Sequence, residues 1–88
     1  MTSFPIEESR VYPAEHHFRI IVHAGSPAQT ALEDLLKGYQ VVAPLCRGRA
    51  SSSGRYDVFQ VTVKLTSRDE HIRLDTALRA VDGVRLLL

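Results

Sequence analysis

Ser51-Ser52-Ser53-Gly54-Arg55-Tyr56 opens directly into Asp57-Val58-Phe59-Gln60-Val61-Thr62-Val63-Lys64-Leu65, and the reading of this run decides the fold. Small turn-forming residues followed by strict alternation describe a hairpin feeding a half-buried strand, because successive side chains of a strand point to opposite faces. Phe59, Val61, Val63 and Leu65 are expected on the buried face. Tyr56, Val58, Gln60, Thr62 and Lys64 are expected on the open one.

Upstream, His16 to Ala24 reads as another strand, with Phe18, Ile20, Val22 and Ala24 on one face and His17, Arg19, Ile21 and His23 on the other. Gly25-Ser26-Pro27 then supplies a turn, a helix N-cap and a proline suited to the first helical position. The helix that follows carries Ala28, Ala31, Leu32, Leu35 and Leu36 on one stripe and is expected to stop at Gly38. Between Tyr39 and Ala50, Val41-Val42 and Leu45-Cys46 form strand-like pairs around Pro44. Proline cannot donate to a ladder, which points to an irregular start or an edge strand.

Downstream, Ser67-Arg68-Asp69-Glu70 matches a capping box. The helix it starts places Leu74, Ala77, Leu78 and Val81 on one stripe and ends at Asp82-Gly83, before a last short strand from Val84 to Leu88. The order strand, helix, strand, strand, helix, strand, with right-handed crossovers, is most economically met by the ferredoxin-like β-α-β-β-α-β fold of the α+β class: a four-stranded antiparallel sheet with two helices on one face. Residues 1–11 lack apolar periodicity and are expected to form a flexible arm, and residues 12–88 a single domain.

Composition narrows function. The chain has 88 residues, 24% of them charged and 44% hydrophobic, with a formal net charge of +1. That balance provides no global field toward nucleic acid or an anionic membrane. One cysteine, Cys46, excludes an intramolecular disulfide. With no apolar run long enough for a span or a leader, a cytoplasmic location is expected.

Residues Ala50 to Tyr56, the following Phe59-Gln60-Val61-Thr62-Val63 and the terminal Val84-Arg85-Leu86-Leu87-Leu88 resemble the YbeD-like family of small bacterial proteins, a domain of unknown function. Tyr12-Pro13 and Phe18-Arg19-Ile20 are similar to that family's entry into its first strand. The chain departs from the pattern at His16, Val22 and Ser53, where the family tends to have an aromatic residue, a glycine and a lysine. The resemblance implies an ACT-like version of the ferredoxin fold, a class that binds amino acids and usually works as dimers. It implies no catalytic residue, no cofactor and no known ligand.

Individual residues set out the candidate chemistry. His17 and His23 share a strand face but lie six positions apart, roughly 20 Å at about 3.3 Å per residue, too far for one metal ion. The histidines, with His16 and His71, read as surface residues, and no metal or cofactor is expected. Cys46 reads as a small buried or edge hydrophobe. Arg47, Arg49 and Arg55 flank the serine turn, but the run lacks the Lys-Ser/Thr ending of a P-loop and is not followed by a helix. RNA binding through the sheet needs aromatic rings on the open face, where alternation puts Val58, leaving Phe59 inside and Tyr56 alone well placed. An acylphosphatase-like hydrolase needs a partnered asparagine, and the chain has none.

The sequence therefore reads as a non-enzymatic regulatory or protein-interaction module. Its alternatives are the sensing of an amino acid or other small anion, and RNA binding through the open face and basic hairpin. Three surfaces are candidates. Gly25 and Ser26 form a ligand loop at a helix start, where glycine allows close approach and amides suit a carboxylate. Arg49, Ser51, Ser52, Ser53, Gly54, Arg55 and Tyr56 form an interaction hairpin, expected to be mobile. Ile21, Tyr56, Val58 and Leu87 form a face for a homodimer, because adjacent apolar residues on an uncovered sheet invite docking. The expected partner is a protein, a second copy or a small effector, with nucleic acid and membrane disfavoured.

Overall fold

The alternation of the central strand organises the molecule. In a computed structural model that describes residues 12–48 and 54–88, Phe59, Val61, Val63 and Leu65 are all buried, while Tyr56, Val58, Gln60, Thr62 and Lys64 are half-buried on the other face. The elements are β1 (Ala14–His23), α1 (Ala28–Leu36), β2 (Gln40–Arg47), β3 (Tyr56–Leu65), α2 (Arg68–Ala80) and β4 (Val84–Leu87). They form one four-stranded sheet in the order β2-β3-β1-β4, every pairing antiparallel. This is the ferredoxin-like arrangement. β1 and β3 pair without interruption from Ala14↔Leu65 to His23↔Tyr56. Phe18, Ile20 and Val22 of β1 meet Ala28, Leu32 and Leu36 of α1, Leu74 and Leu78 of α2, and Leu87 of β4 in one core.

The first helix begins differently from the expectation. Pro27, not Ser26, is the residue flanking α1, and no side chain caps the helix. The Ser26 amide turns back to the His23 carbonyl at 3.2 Å, and its hydroxyl oxygen is buried without a hydrogen-bond partner among the described residues. Ala31, expected on the apolar stripe, is exposed, because the buried positions are Ala28, Leu32 and Leu36 at intervals of a full turn. The helix closes by short-range bonds from Lys37, Gly38 and Tyr39 to Asp34, Leu35 and Leu36.

β2 lies at the sheet edge, one of the two placements Pro44 allows, and its register with β3 shifts twice, between Val41 and Ala43 and again between Ala43 and Cys46. Pro44 falls within the second irregularity, where a missing N–H interrupts no regular ladder. Cys46 shares this edge and is exposed, not buried. It lies opposite Gln60 of β3, on the face away from α1 and α2. Ala24 also differs from its assignment to the core face: β1 ends at His23 and Ala24 is exposed.

The capping box forms with one change. The Ser67 hydroxyl accepts from the Glu70 amide at 3.1 Å, but the Glu70 carboxylate reaches past the cap to the Thr66 amide at 2.7 Å and the Thr66 hydroxyl at 3.0 Å. α2 gives way at Val81, which is extended, and Gly83 takes φ +96°. That turn delivers β4 to the outer side of β1.

Candidate functional site

β4 decides the composition of the open face. Ile20 pairs with Leu87 and Ile21 with Leu86, but Val22 pairs with Val84, so Arg85 is the extra residue of a bulge. Leu87 consequently points to the helices and is only 5% exposed, whereas Leu86 is 45% exposed on the open face. The expected placement of Leu87 on the docking face is therefore corrected. Ideal alternation cannot reveal a bulge, and Leu86, directly opposite Ile21, takes that place.

With this correction the open face carries an unbroken apolar row, Val58–Ile21–Leu86, each member opposite the next on neighbouring strands. A row of mixed character flanks it on each side. On one side Arg19 lies opposite Gln60 and exchanges backbone hydrogen bonds of 3.1 and 2.8 Å with Leu88, itself 60% exposed. On the other side His23 lies opposite Tyr56, their ring centroids 5.3 Å apart. Further along, His17 hydrogen-bonds the Thr62 hydroxyl at 3.0 Å, and Glu15 faces Lys64. Tyr56 thus joins the patch, and Phe59, at 2% exposure, is within the core.

The two loop candidates meet at one end of the sheet. The Ala24 amide donates to the Arg55 carbonyl at 2.9 Å, and the His23 amide donates to the Gly83 carbonyl at 2.8 Å. Gly25 and Gly54 take φ of +79° and +73°, conformations that favour glycine. The residues just before Gly25-Ser26 thus join Arg55-Tyr56, His23 opposite Tyr56 and Ala24 bonded to Arg55. Arg49, Ser51, Ser52 and Ser53, together with the expected mobility of the hairpin, lie outside the described residues. Arg47 turns to the helix side, where it pairs with Asp57 at 3.3 Å and lies 5.6 Å from the Phe59 ring centre.

One of the histidines, His71, is not a surface residue, and His16 is half-buried. His71, 2% exposed, is enclosed by Tyr12, whose hydroxyl lies 2.8 Å from its Nδ1, and by the rings of His16 at 3.9 Å and Phe18 at 5.9 Å between centroids. A cavity of about 340 Å³ adjoins them, lined also by Asp75, Arg79 and Leu87. His17 and His23, by contrast, are exposed. The spacing of His71, Leu74 and Leu78 on one helix face was the signal that His71 is buried. Polarity had argued for the surface.

Comparison with known proteins agrees with this architecture. Residues 7–88 match the family described as protein of unknown function (DUF493). The solution structure of protein HP0495 from H. pylori superposes with a TM-score of 0.77 at 22% identity, covering 100% of this chain and 94% of that one. The crystal structure of the ACT domain from the GTP pyrophosphokinase of Chlorobium tepidum superposes at 0.67 and 12% identity, covering 84% and 94%. A comparison with curated proteins finds no match. Among the described residues no helix is long and apolar enough to cross a membrane. The fold is ACT-like, and the chain belongs to the DUF493 family, the one its Ser-Gly-Arg-Tyr hairpin and terminal strand resemble.

Proposed function

We propose that this domain is a non-enzymatic regulatory or protein-interaction module of the cytoplasm, working through the open face of its sheet. The observation that supports this reading is the continuous row Val58–Ile21–Leu86 on the face that carries no helix among the described residues. Apolar side chains aligned across three strands gain about 25 cal/mol for each Å² removed from water. A surface of this kind marks a contact site more often than scattered apolar residues do.

Site-specific photocrosslinking tests the reading. A photoreactive side chain at position 58 or 86 is expected to trap a protein in cells, either a copy of the chain or another, and Ile21→Lys is expected to abolish the adduct. The same probe at Ile72, 37% exposed on α2, serves as the control. Equal trapping from position 72, or none from 58 and 86, overturns the reading.

A second reading is favoured by the loop end of the sheet, where α1 has neither a side-chain cap nor an acidic residue in its first turn and the Ser26 hydroxyl is buried without a partner among the described residues. Open amides at a helix start suit a small carboxylate, and the ACT-like fold is consistent with sensing an amino acid there. A thermal-shift series with the common amino acids, comparing the wild type with Ser26→Ala, tests it. The absence of any shift at millimolar ligand removes this reading.

A further inference from the structure

β1 is longer than the strand that covers its outer side. Arg19 exchanges both of its backbone hydrogen bonds with Leu88, and among the described residues nothing pairs with β1 on that side before Arg19. Backbone groups of every second residue in a strand point the same way, so the N–H and C=O of Glu15 and His17 are presented outward. They lie beside the cavity lined by His16, Phe18, His71, Arg79 and Leu87. We propose that this edge is filled by the chain's own segment Ile6-Glu7-Glu8-Ser9, added to β1 as a short antiparallel strand in line with β4.

The entry to β1 brings that segment to the edge. Residues 1–11 lie outside the described residues, but Tyr12 is held against α2 by its hydroxyl, 2.8 Å from Nδ1 of His71, so the segment leaves from the cavity itself. It is long enough: residues 1–11 reach about 36 Å when extended, whereas Glu15 and His17 are about 7 Å apart. A bare strand edge selects an extended backbone, with pockets beside it selecting the side chains.

The chemistry of the segment selects one register. With Ser9 opposite Glu15 and Glu7 opposite His17, both are hydrogen-bonded pairs, in phase with Arg19 and Leu88. Residues 10–14 then form the connection, within the usual hairpin length of about two to five residues. Alternation places Ile6 opposite Phe18 and Glu8 opposite His16, both on the cavity side. Ile6 there meets Phe18 and Leu87. Glu8 meets His16 and the guanidinium of Arg79, whose Nε is bonded to Asp75 at 2.9 Å. On the other face Glu7 lies across from His17. Pro5, which cannot donate, falls beyond the paired stretch, where Leu88 already occupies the edge. Sliding the segment by two positions sets either Pro5 opposite His17, which loses a bond, or Glu8 opposite Phe18, which leaves a carboxylate against a ring. The pairing also closes an edge that, left bare, is a template for strands of other chains.

Amide hydrogen exchange read by NMR decides it. In the 88-residue chain the Glu15 and His17 amides are expected to exchange at least ~10-fold more slowly than in a chain lacking residues 2–9, because pairing shields them. The Phe18 amide, on the β3 side of β1, is expected to be slow in both and reports the fold. Ile6→Asp and Glu8→Lys make the same comparison without removing residues, and each is expected to lose most of the protection. A peptide of residues 2–11 added to the shortened chain is expected to restore it. Glu15 and His17 amides that exchange equally fast with and without the segment overturn the proposal. Protection that survives the deletion, or that grows with protein concentration, also overturns it and gives the edge to another strand. Protection indifferent to Ile6→Asp overturns the register.

Discussion

The Tyr12 hydroxyl and Nδ1 of His71 share a hydrogen bond of 2.8 Å across 59 positions of sequence, tying the entry of β1 to the first half of α2. His71 is buried, so this bond answers part of the cost of placing an imidazole in the core. Tyr12→Phe keeps the ring and removes the hydroxyl. It is expected to destabilise by about 1 kcal/mol, seen as a drop of roughly 4–8 °C in the melting midpoint. An unchanged midpoint would show that the contact contributes no stability.

Gly83 is required twice over. Its φ of +96° is a region L side chains rarely adopt, and a Cβ there would lie 2.7 Å from the Ser26 hydroxyl oxygen and 2.9 Å from the Ser26 Cβ. Gly83→Ala is expected to cost about 1–3 kcal/mol from the backbone alone, with the collision in addition. Adding Ser26→Gly should recover the collision part only. Chemical denaturation of the single and double variants measures both, and full recovery would place the whole penalty in the contact.

Phe59 is 2% exposed at the centre of the core, with Arg47 against its ring. Phe59→Ala is expected to cost about 3–5 kcal/mol, comparable with the total stability of a small domain. Loss of cooperative unfolding at 25 °C is the expected readout. A soluble variant with nearly unchanged melting would contradict the register of β3.

The Ser67 hydroxyl accepts the Glu70 amide at the start of α2. Ser67→Ala is expected to cost about 1 kcal/mol, and Ser67→Gly only a few tenths. Urea unfolding of the pair tests this, and equal losses would assign the effect to something other than the cap.

Local rules made much of this molecule readable. The alternation from Tyr56 to Leu65 identified the central strand and both its faces, because period two is imposed by the backbone. Pro44 pointed to an irregular start or an edge for β2 through its missing donor, and Ser67 with Glu70 marked the start of α2 through amides that any helix leaves unsatisfied. From these the order of elements, and with it the ferredoxin-like sheet, followed.

Tertiary structure alone decided the details that make a surface. The bulge at Arg85 exchanges Leu86 for Leu87 on the open face, a consequence of how β4 leaves the turn at Gly83 and meets β1. Ser26 gives up capping because its side chain is pressed against Gly83 from the other end of the chain. His71 is buried because Tyr12, His16 and Phe18 converge on it, and Cys46 is exposed on the edge strand. Each of these depends on residues distant in sequence meeting in space, and a local period carries no record of which residues those are.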